Sequence, residues 1–496
     1  MSKKLIIFVA LLLYGVPVFA QSVDTAWVRR YNGEASALAL DDSGNVYVTG
    51  FSEAHYLTIK YYPDGETAWV RKYDGPGPYG DLARDIDVDG SGNVYVTGYS
   101  SGWGINSDYA TIKYYPNGDT AWVRRYNGPG NGDDEAFAIA VDDSGNAYVT
   151  GRSYGSGTGY DYTTIKYYPV GDTAWVRRYN GTGGQFNNMD LAWDIAVDGS
   201  GNVYVTGWSS DSVTYNDYAT IKYYPNGDTA WIRRYTRGEW YSRDEARAIA
   251  TDGSGNVYVT GSSDGDYLTI KYLPDGNTVW VKRYDGGWAH AISLDGSGNV
   301  YVTGGEESSI YSDYTTIKYY PNGDTAWVRR YNGPADSTDC AYGIAVDSSG
   351  SVYVAGYSRG IATDNDYAIV KYNPNGNEVW VRRYNGSGNW DDHVYDMSLS
   401  GSNVYATGGS SQNSTWPYNY DITTIVYVQF LRGDANHDGI VNVSDVVYLI
   451  SYLFKGGPAP IPSTIVGDAN CDGKVTVADA VSLIYYLFKG GPKPCI

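Results

Sequence analysis

The sequence has few basic residues, and this shortage argues against nucleic acid as a partner. Its 496 residues include 36 Lys and Arg against 56 Asp and Glu, which gives a formal net charge of -20 at pH 7. A surface that follows a phosphate backbone needs clustered positive charge. We therefore expect no nucleic-acid partner.

Cysteines and long apolar runs are also scarce. The chain has three cysteines, so at most one internal disulfide can form and no disulfide framework holds the fold. Beyond the N-terminal segment no stretch is apolar over the roughly 20 residues that a membrane-spanning helix needs. We therefore expect no membrane span.

The N-terminus has the order of a secretory signal peptide. Lys3 and Lys4 precede an apolar run from Leu5 to Leu13, and a small-residue cleavage site ends at Ala20. Residues 1–20 are therefore predicted to be removed on export, which makes the mature protein secreted and extracellular, with cell-surface association through a partner. An uncleaved amphipathic leader is the alternative.

Glycine and tyrosine, in contrast, are abundant. The chain has 62 Gly and 53 Tyr but only 19% charged residues. This composition is typical of a turn-rich, aromatic β protein rather than a helical enzyme.

One unit is repeated eight times along most of the chain. The motif SGNVYVTG, or a relative of it, begins at Ser43, Ser91, Ser144, Ser200, Ser254, Ser297, Ser349 and Ser402. A W-[VI]-[RK]-[RK]-Y motif begins at Trp27, Trp69, Trp122, Trp175, Trp231, Trp280, Trp327 and Trp380. A period of about 50 residues built from strands suggests the blades of a β-propeller.

Each unit is expected to form four antiparallel strands, which make one blade. A DSGN turn joins AFAIAVD to AYVTG, and Asn117-Gly118 joins a TIKYY strand to a Trp strand. Because both Asn and Gly tolerate a positive φ, we expect a type I′ turn at Asn117-Gly118.

The two ends of the repeat region are incomplete in a complementary way. The region opens with a lone Trp strand, and its last unit ends at Thr424 to Val428 without one. We therefore expect the strand Thr25 to Tyr31 to complete the last blade, closing an eight-bladed propeller over residues 21–430 with no open sheet edge. A β-solenoid is the alternative.

The D-x-S-G-N-x-Y-V-T-G markers resemble the bacterial SBBP-type β-propeller repeat. The resemblance implies a mainly β fold that serves as an extracellular scaffold or binding module. It implies no particular reaction.

The repeat region shows no conventional catalytic constellation, and we assign no catalytic residue. Four segments match G-x-S-x-G, but a strand rather than the helix of a nucleophile elbow should follow each one. They begin at Gly98, Gly151, Gly261 and Gly356. None of the four histidines recurs at one repeat position, so no shared general base is visible. Asp85 and Asp87 imitate a calcium loop, but Val96 cannot ligate at its twelfth position, so both are interpreted as strand variants.

Recurring aspartates and variable loops are the remaining features of the repeats. An aspartate precedes the TIKYY-type strand at Asp108, Asp161, Asp217, Asp266, Asp313, Asp366 and Asp421. Such regularity indicates turn capping or pairing with a neighbouring blade's arginine. The loops of unequal length are the expected place for a glycan or protein ligand. Their aromatic residues would stack on sugar rings or peptide side chains, although plain surface aromatics account for them equally well: Trp103, Trp240, Tyr241 and Trp416.

Two C-terminal segments repeat each other, starting at Gly433 and Gly467. Each contains D-x-N-x-D-G-x5-D, which places oxygen ligands at the calcium positions of an EF-hand-like loop, with a glycine that permits the sharp turn. We predict two Ca²⁺ sites. The first comprises Asp434, Asn436, Asp438, Asn442 and Asp445, and the second comprises Asp468, Asn470, Asp472, Thr476 and Asp479.

A short amphipathic helix is predicted after each loop. Apolar residues recur at helical spacing from Val446 to Phe454 and from Ala480 to Phe488, so the two stripes should pack on each other. Cys471 and Cys495 are hypothesised to form a disulfide that closes this module.

The duplicated loop and helix resemble a type I dockerin, covering residues 433–496. The resemblance implies docking to a cohesin-like protein module, often in assemblies for polysaccharide catabolism. The positions implied to meet the partner are Val443, Ser444, Ile450, Ser451, Lys455, Val477, Ala478, Ile484, Tyr485 and Lys489. Several of them depart from the Ser-Thr and basic pairs usual in dockerins, which leaves cohesin specificity open. A calcium-stiffened terminal domain without a partner is the alternative.

Two functions follow from these features. The leading hypothesis is a secreted, non-catalytic propeller that binds an extracellular ligand, either a polysaccharide or a protein, and is tethered through the dockerin-like module. The rival is a polysaccharide-degrading enzyme, a glycoside hydrolase or lyase, with paired carboxylates in the propeller channel.

Overall fold

The computed structural model describes residues 22–102, 106–181, 189–211, 215–238, 242–305, 312–413, 420–430, 432–436, 441–460, 464–489, 491–492 and 494. The predicted signal peptide, Asp438, Cys495, Gly490 and the loop aromatics Trp103, Trp240, Tyr241 and Trp416 lie outside these residues. The described chain forms eight four-stranded sheets, followed by two short helices.

The first four blades follow the chain directly after strand β1 (Ser22–Asn32). Blade 1 contains β2 (Glu34–Leu40), β3 (Val46–Ser52), β4 (His55–Tyr61) and β5 (Thr67–Tyr73). Blade 2 contains β6 (Leu82–Val88), β7 (Val94–Ser101), β8 (Ser107–Tyr114) and β9 (Thr120–Tyr126). Blade 3 contains β10 (Asp134–Val141), β11 (Ala147–Gly155), β12 (Gly159–Tyr167) and β13 (Thr173–Tyr179). Blade 4 contains β14 (Asp190–Val197), β15 (Val203–Ser210), β16 (Asn216–Tyr223) and β17 (Thr229–Tyr235).

The last four blades have the same order, except that the eighth takes its fourth strand from the N-terminus. Blade 5 contains β18 (Asp244–Thr251), β19 (Val257–Ser263), β20 (Asp266–Tyr272) and β21 (Thr278–Tyr284). Blade 6 contains β22 (Trp288–Leu294), β23 (Val300–Gly305), β24 (Tyr314–Tyr319) and β25 (Thr325–Tyr331). Blade 7 contains β26 (Asp339–Val346), β27 (Val352–Arg359), β28 (Asn365–Tyr372) and β29 (Glu378–Tyr384). Blade 8 contains β30 (Asp392–Ser400), β31 (Asn403–Ser411), β32 (Tyr420–Phe430) and β1.

Blade 8 confirms the predicted closure of the propeller. Its strands lie in the order β1-β32-β31-β30, so the N-terminal strand takes the outer position that a Trp strand holds in every other blade. The first strand of each blade is innermost, because it contacts the first strands of the two neighbouring blades. The first strands therefore line the central channel, and the Trp strands form the rim.

The turn between the first two strands of a blade is built by its aspartate. One oxygen of Asp41 accepts hydrogen bonds from the amides of Ser43 and Asn45, and the other accepts one from the hydroxyl of Tyr47, 2.9 Å away. Burial opposes ionisation of Asp41, but the bonds from Asn45, Tyr47 and Ser43 outweigh it and lower its pKa. The D-x-S-G-N motif is thus a self-contained turn.

The Asn-Gly turn differs from the predicted type I′ turn. Gly118 has a positive φ of 85°, whereas Asn117 does not have a positive φ. The amide of Gly118 donates to the carbonyl of Tyr115, and the strand register shifts at Tyr114. The prediction was wrong because a longer loop ending on a glycine in the left-handed region satisfies the same Asn-Gly pair.

Adjacent blades are joined by buried aromatic residues. Tyr47, Tyr56 and Trp69 of blade 1 form one buried cluster with aliphatic residues of blade 2, such as Ile86 and Val96. Each large aromatic side chain removes about 150–250 Å² from water. The polar ends of these rings are also satisfied across the junction, since the hydroxyl of Tyr56 donates to the carbonyl of Ala110 at 3.1 Å. Each of these cores is therefore built by two neighbouring blades.

The first strand of every blade contains a β-bulge. One residue in each strand has no partner on the second strand, and the register resumes one residue later. A bulge redirects its side chain away from the regular alternation. The eight bulge residues are Ser36, Arg84, Phe137, Trp193, Arg247, His290, Tyr342 and Tyr395.

The C-terminal helices are α1 (Val443–Lys455) and α2 (Val477–Lys489), with a 3-10 turn at Thr464–Gly467 between them. The helices pack through a small core that includes Val446, Leu449, Ala480 and Leu483, as predicted. The aromatic end of each predicted stripe does not pack, because Phe454 and Phe488 are 66% and 65% exposed. Among the described residues, no helix is long and apolar enough to cross a membrane.

Candidate calcium loops and docking face

Four of the five residues predicted to bind calcium in the first loop are described by the structure, and Asp438 lies outside the described residues. Asp445 is fully buried at the start of α1, and its two oxygens accept hydrogen bonds from the amides of Asn436 and Asn442, at 3.2 and 2.8 Å. Asp434 is also buried, with 1% exposure. Asn442 caps α1 by accepting a bond from the amide of Ser444. The loop is therefore folded around its terminal aspartate.

The second loop repeats this arrangement. Asp479 accepts from the amides of Asn470 and Thr476, at 3.1 and 2.7 Å, and is fully buried. Asp468 accepts from the amides of Asp472 and Gly473. Because the amide of Asp472 also donates to Asn470, all five predicted residues of the second loop are linked in one chain of hydrogen bonds.

The donor set of each loop fits calcium. Each loop contains two buried carboxylates, Asp434 and Asp445 in the first and Asp468 and Asp479 in the second, and a buried charge needs a compensating partner. The available atoms are carboxylate, amide and hydroxyl oxygens, which are the hard ligands that Ca²⁺ prefers. At the second loop the guanidinium of Arg432 lies 3.3 Å from Asp468, which supplies part of that compensation.

The predicted partner-binding residues lie almost entirely on the surface of the helices. Ser451 is half-buried, and the others are exposed: Val443, Ser444, Ile450, Lys455, Val477, Ala478, Ile484, Tyr485 and Lys489. The structure adds an exposed apolar residue to each turn of the same faces, namely Val447, Phe454, Val481 and Phe488. Phe454 and Phe488 were predicted to lie in the core, whereas Val447 and Val481 belonged to neither predicted stripe; their helical spacing to Val443 and Val477 is the signal that could have placed them on this face.

Five of the seven recurring aspartates form ion pairs with an arginine of their own blade: Asp108, Asp161, Asp217, Asp266 and Asp366. Asp108 lies 2.8 Å from Arg125 and Asp161 lies 2.7 Å from Arg178, each pair joining the third and fourth strands. The expected pairing with a neighbouring blade was wrong, because strand register already places the arginine over the aspartate. Arg125 also donates to Ser100, the serine of the first G-x-S-x-G segment, which runs from one strand towards another.

Asp85 and Asp87 are strand residues, as predicted, and they link blades 2 and 3. Each carboxylate accepts a hydrogen bond from an amide of the next blade, Asp85 from Ile139 and Asp87 from Val141, both at 2.8 Å. Asp194 of blade 4 likewise accepts a bond from the amide of Ile249 in blade 5. Asp396 of blade 8 accepts one from the amide of Leu38 in blade 1. Burial raises the pKa of Asp85, and it raises the pKa of Asp87, Asp194 and Asp396 to about 6.

The cysteines divide into one free and one bonded residue within the described chain. Cys340 is free and buried in β26, whereas Cys471 is disulfide-bonded. Its predicted partner, Cys495, lies outside the described residues.

Comparison with protein families matches both the propeller and the C-terminal helical module. The Dockerin type I domain matches residues 432–488. The SBBP Beta-propeller repeat matches residues 75–104, 121–157, 194–212, 231–267 and 326–361. No curated protein matches the chain.

The solved structures similar to this chain include a propeller and a WD40 domain. The Dos1 propeller has a TM-score of 0.53 at 7% identity, covering 82% of this chain and 94% of that chain. The C-terminal WD40 domain of Sif2 has a TM-score of 0.51 at 9% identity, with coverages of 83% and 99%. Sqt1 from Chaetomium thermophilum also has a TM-score of 0.51 at 9% identity, with coverages of 83% and 100%. At these identities the likeness shows the fold alone.

Proposed function

Because the chain carries SBBP β-propeller repeats and a type I dockerin domain, we propose that it is a secreted, non-catalytic propeller held in an assembly by its dockerin. The propeller binds an extracellular ligand, and calcium folds the dockerin so that it docks to a cohesin-like module. The duplicated loop and helix, with a buried aspartate at the start of each helix, carry this proposal.

Calcium would act through the geometry of the two helices. Asp445 and Asp479 connect each loop to the first turn of the following helix, so an ion held in the loops fixes where the helices begin. Each helix then presents Val443, Val447 or their counterparts Val477 and Val481 to solvent, all about half-exposed. Exposed apolar stripes of this kind mark protein-binding surfaces.

Three buried aspartates of the first strands support a non-catalytic propeller. Asp85, Asp194 and Asp396 each accept two backbone amide bonds, one of them from the next blade. A general acid or base must instead reach a substrate proton. These carboxylates therefore join blades.

The experiment is a binding assay of the full chain with a panel of cohesin modules, with calcium and with a chelator. We expect binding only with calcium, and its loss in Phe454→Ser combined with Phe488→Ser. Tyr79→Ser, an exposed aromatic residue of the propeller, is the control. Binding that survives chelation would contradict the calcium role, and turnover of any glycan by the full chain would contradict the non-catalytic role.

A further inference from the structure

A histidine and two aspartates meet where blade 1 joins blade 2. His55 begins β4, Asp74 directly follows β5, and Asp81 directly precedes β6. Each of the three side chains offers one metal-ligating atom, and these atoms all lie within 4.8 Å of one another. The Nδ1 of His55 is 3.3 Å from a carboxylate oxygen of Asp74. We call His55, Asp74 and Asp81 the junction triad.

Blade 1 departs from the other blades at this place. Its histidine stands where the other seven units have an aspartate, and Lys72 stands where they all have an arginine. In blade 2 these two positions hold Asp108 and Arg125, and the guanidinium donates to Asp108 and to the hydroxyl of Ser100. In blade 1 the ammonium of Lys72 lies 2.8 Å from Glu53 instead. The guanidinium of blade 2 is thus replaced by an ammonium that is bonded elsewhere.

This replacement leaves two polar atoms of one hairpin without a hydrogen-bond partner among the described residues. They are the Nδ1 of His55 and the hydroxyl of Ser52, which is 1% exposed. The two residues are directly opposed on β3 and β4, so their side chains lie on one face of the sheet. The Nδ1 of His55 is close to Asp74 but lacks the geometry of a hydrogen bond to it. Buried polar atoms of this kind are costly unless a bound group satisfies them.

Asp81 is held firmly beside this hairpin. It is 2% exposed, and its two oxygens accept hydrogen bonds from the amides of Gly75 and Ser101, at 2.7 and 3.0 Å. Its own amide donates to the carbonyl of Ala54, the neighbour of His55, at 2.7 Å. A carboxylate has about four lone-pair sites, so two remain for an ion. Bonds of this kind orient the ligands of metal sites.

The three side chains fit a zinc ion better than a calcium ion. Ca²⁺ takes six to eight oxygen ligands, whereas Zn²⁺ binds imidazole nitrogen and carboxylate oxygen together. Two ligands at about 2.0–2.1 Å from a tetrahedral Zn²⁺ lie about 3.3 Å apart, which matches the distance between His55 and Asp74. The side chain of Asp74 is 73% exposed, so an ion can reach the junction triad from solvent.

We propose that the junction triad binds Zn²⁺. The Nδ1 of His55 and one carboxylate oxygen from each of Asp74 and Asp81 bind the ion, and water takes the fourth position, as at zinc sites with three protein ligands. The ion supplies positive charge where blade 2 has its arginine, and it joins the hairpin of blade 1 to the start of blade 2. This site is separate from the two calcium loops.

The test is calorimetry of the untagged full chain, kept in saturating Ca²⁺ and titrated with Zn²⁺. We expect one Zn²⁺ per chain, and a higher unfolding temperature of the propeller because the ion binds only the folded junction. Loss of even an outer-shell partner weakens metal binding about 10- to 100-fold, so His55→Asn and Asp74→Asn should each weaken it at least tenfold. Five other units have asparagine at the position of Asp74, so this variant should fold.

Two further variants make the test specific. His55→Asp combined with Lys72→Arg restores the pair found in blade 2, so it should remove zinc binding while the melting curve shows a folded propeller. His393→Asn removes another histidine near an aspartate, 3.9 Å from Asp391, and should leave binding unchanged. The site would be overturned by an absence of zinc binding, by unchanged affinity in either ligand variant or in the restored pair, or by an equal loss in His393→Asn.

Discussion

The indole Nε1 of Trp69 donates to the carbonyl oxygen of Pro116 in the next blade, at 3.1 Å. The same bond recurs between other neighbouring blades, for example from Trp122 to Pro169. Trp380 is different, because its buried Nε1 has no acceptor within the described chain. The third strand of blade 8 runs to Phe430 without the proline turn that supplies this carbonyl in the other blades.

This difference gives a matched pair of substitutions. Trp69→Phe should lower the free energy of unfolding by about 1 kcal/mol more than Trp380→Phe, because only Trp69 loses a hydrogen bond, while Lys60 still donates to the Pro116 carbonyl. Urea unfolding followed by tryptophan fluorescence measures this, since all 15 tryptophans precede the C-terminal module. Equal losses in the two variants would show that the indole bond contributes nothing.

Ring closure by β1 can be tested by removing that strand. Deleting residues 22–32 exposes the edge of β32 and removes the aromatic contact between Trp27 and Tyr61, so the unfolding temperature should fall by several degrees or more. A synthetic peptide of the same residues should restore part of the loss. An unchanged melting curve would count against the closure.

Chelation should unfold the C-terminal module and leave the propeller folded. A ligand at 100 times its dissociation constant adds roughly 2.7 kcal/mol per site, which is comparable with the stability of so small a domain. Hydrogen exchange by mass spectrometry should show loss of protection in α1 and α2 with a chelator, and in Asp445→Ala combined with Asp479→Ala. Asp74→Ala, an exposed carboxylate of the propeller, is the control. Equal protection with and without chelator would disprove calcium as the fold switch.

The channel carboxylates predict an unusual pH dependence. Burial raises the folded-state pKa of Asp194 from 3.8 to about 6, so between these values the folded state binds more protons than the unfolded state. This group's contribution to stability is therefore greatest at acidic pH and falls as pH rises from about 4 to about 6, by at most about 3 kcal/mol.

Urea midpoints from pH 4 to pH 7 measure this slope, and Asp194→Asn should flatten it. Asp198 of the same blade gives the opposite sign: burial opposes its ionisation, but bonds from Asn202, Tyr204 and Ser200 lower its pKa. Asp198→Asn should therefore lower stability at pH 7, with a loss that shrinks in acid as the native carboxylate protonates. A slope that Asp194→Asn leaves unchanged would rule out Asp194 as its source.

The sequence predicts the features shared by all blades more reliably than the features that differ from blade to blade. Counting Trp strands against the other three was enough to place β1 in blade 8, because an incomplete blade leaves an open edge. The bulge side chains escaped prediction, since no pattern in AFAIAVD marks Phe137 as a bulge residue, and Trp193, whose ring Phe137 contacts, comes from another unit.

The C-terminal module shows the opposite limit. Periodicity placed Val446 and Leu449 correctly in the core, but it also placed Phe454 there. The core formed by two 13-residue helices is too short to cover their last turns, so the same stripe is buried at one end and exposed at the other. The spacing of apolar residues predicts which face of a helix is apolar. It does not predict how far along the helix a partner covers that face.

The position of β1 also sets the order in which the molecule can form. During synthesis the first structured segment emerges long before β32, its neighbour in the sheet, which begins at Tyr420. Blades 1 to 7 can each fold from local hairpins, whereas the eighth waits for a contact between opposite ends of the repeat region, and such non-local pairing is slow. Until then both rims of the opening carry unpaired strand edges, which are templates for pairing with another chain. Folding yield should therefore depend on protein concentration at this last step, which makes dilution or a chaperone at the site of release a practical determinant of how much protein matures.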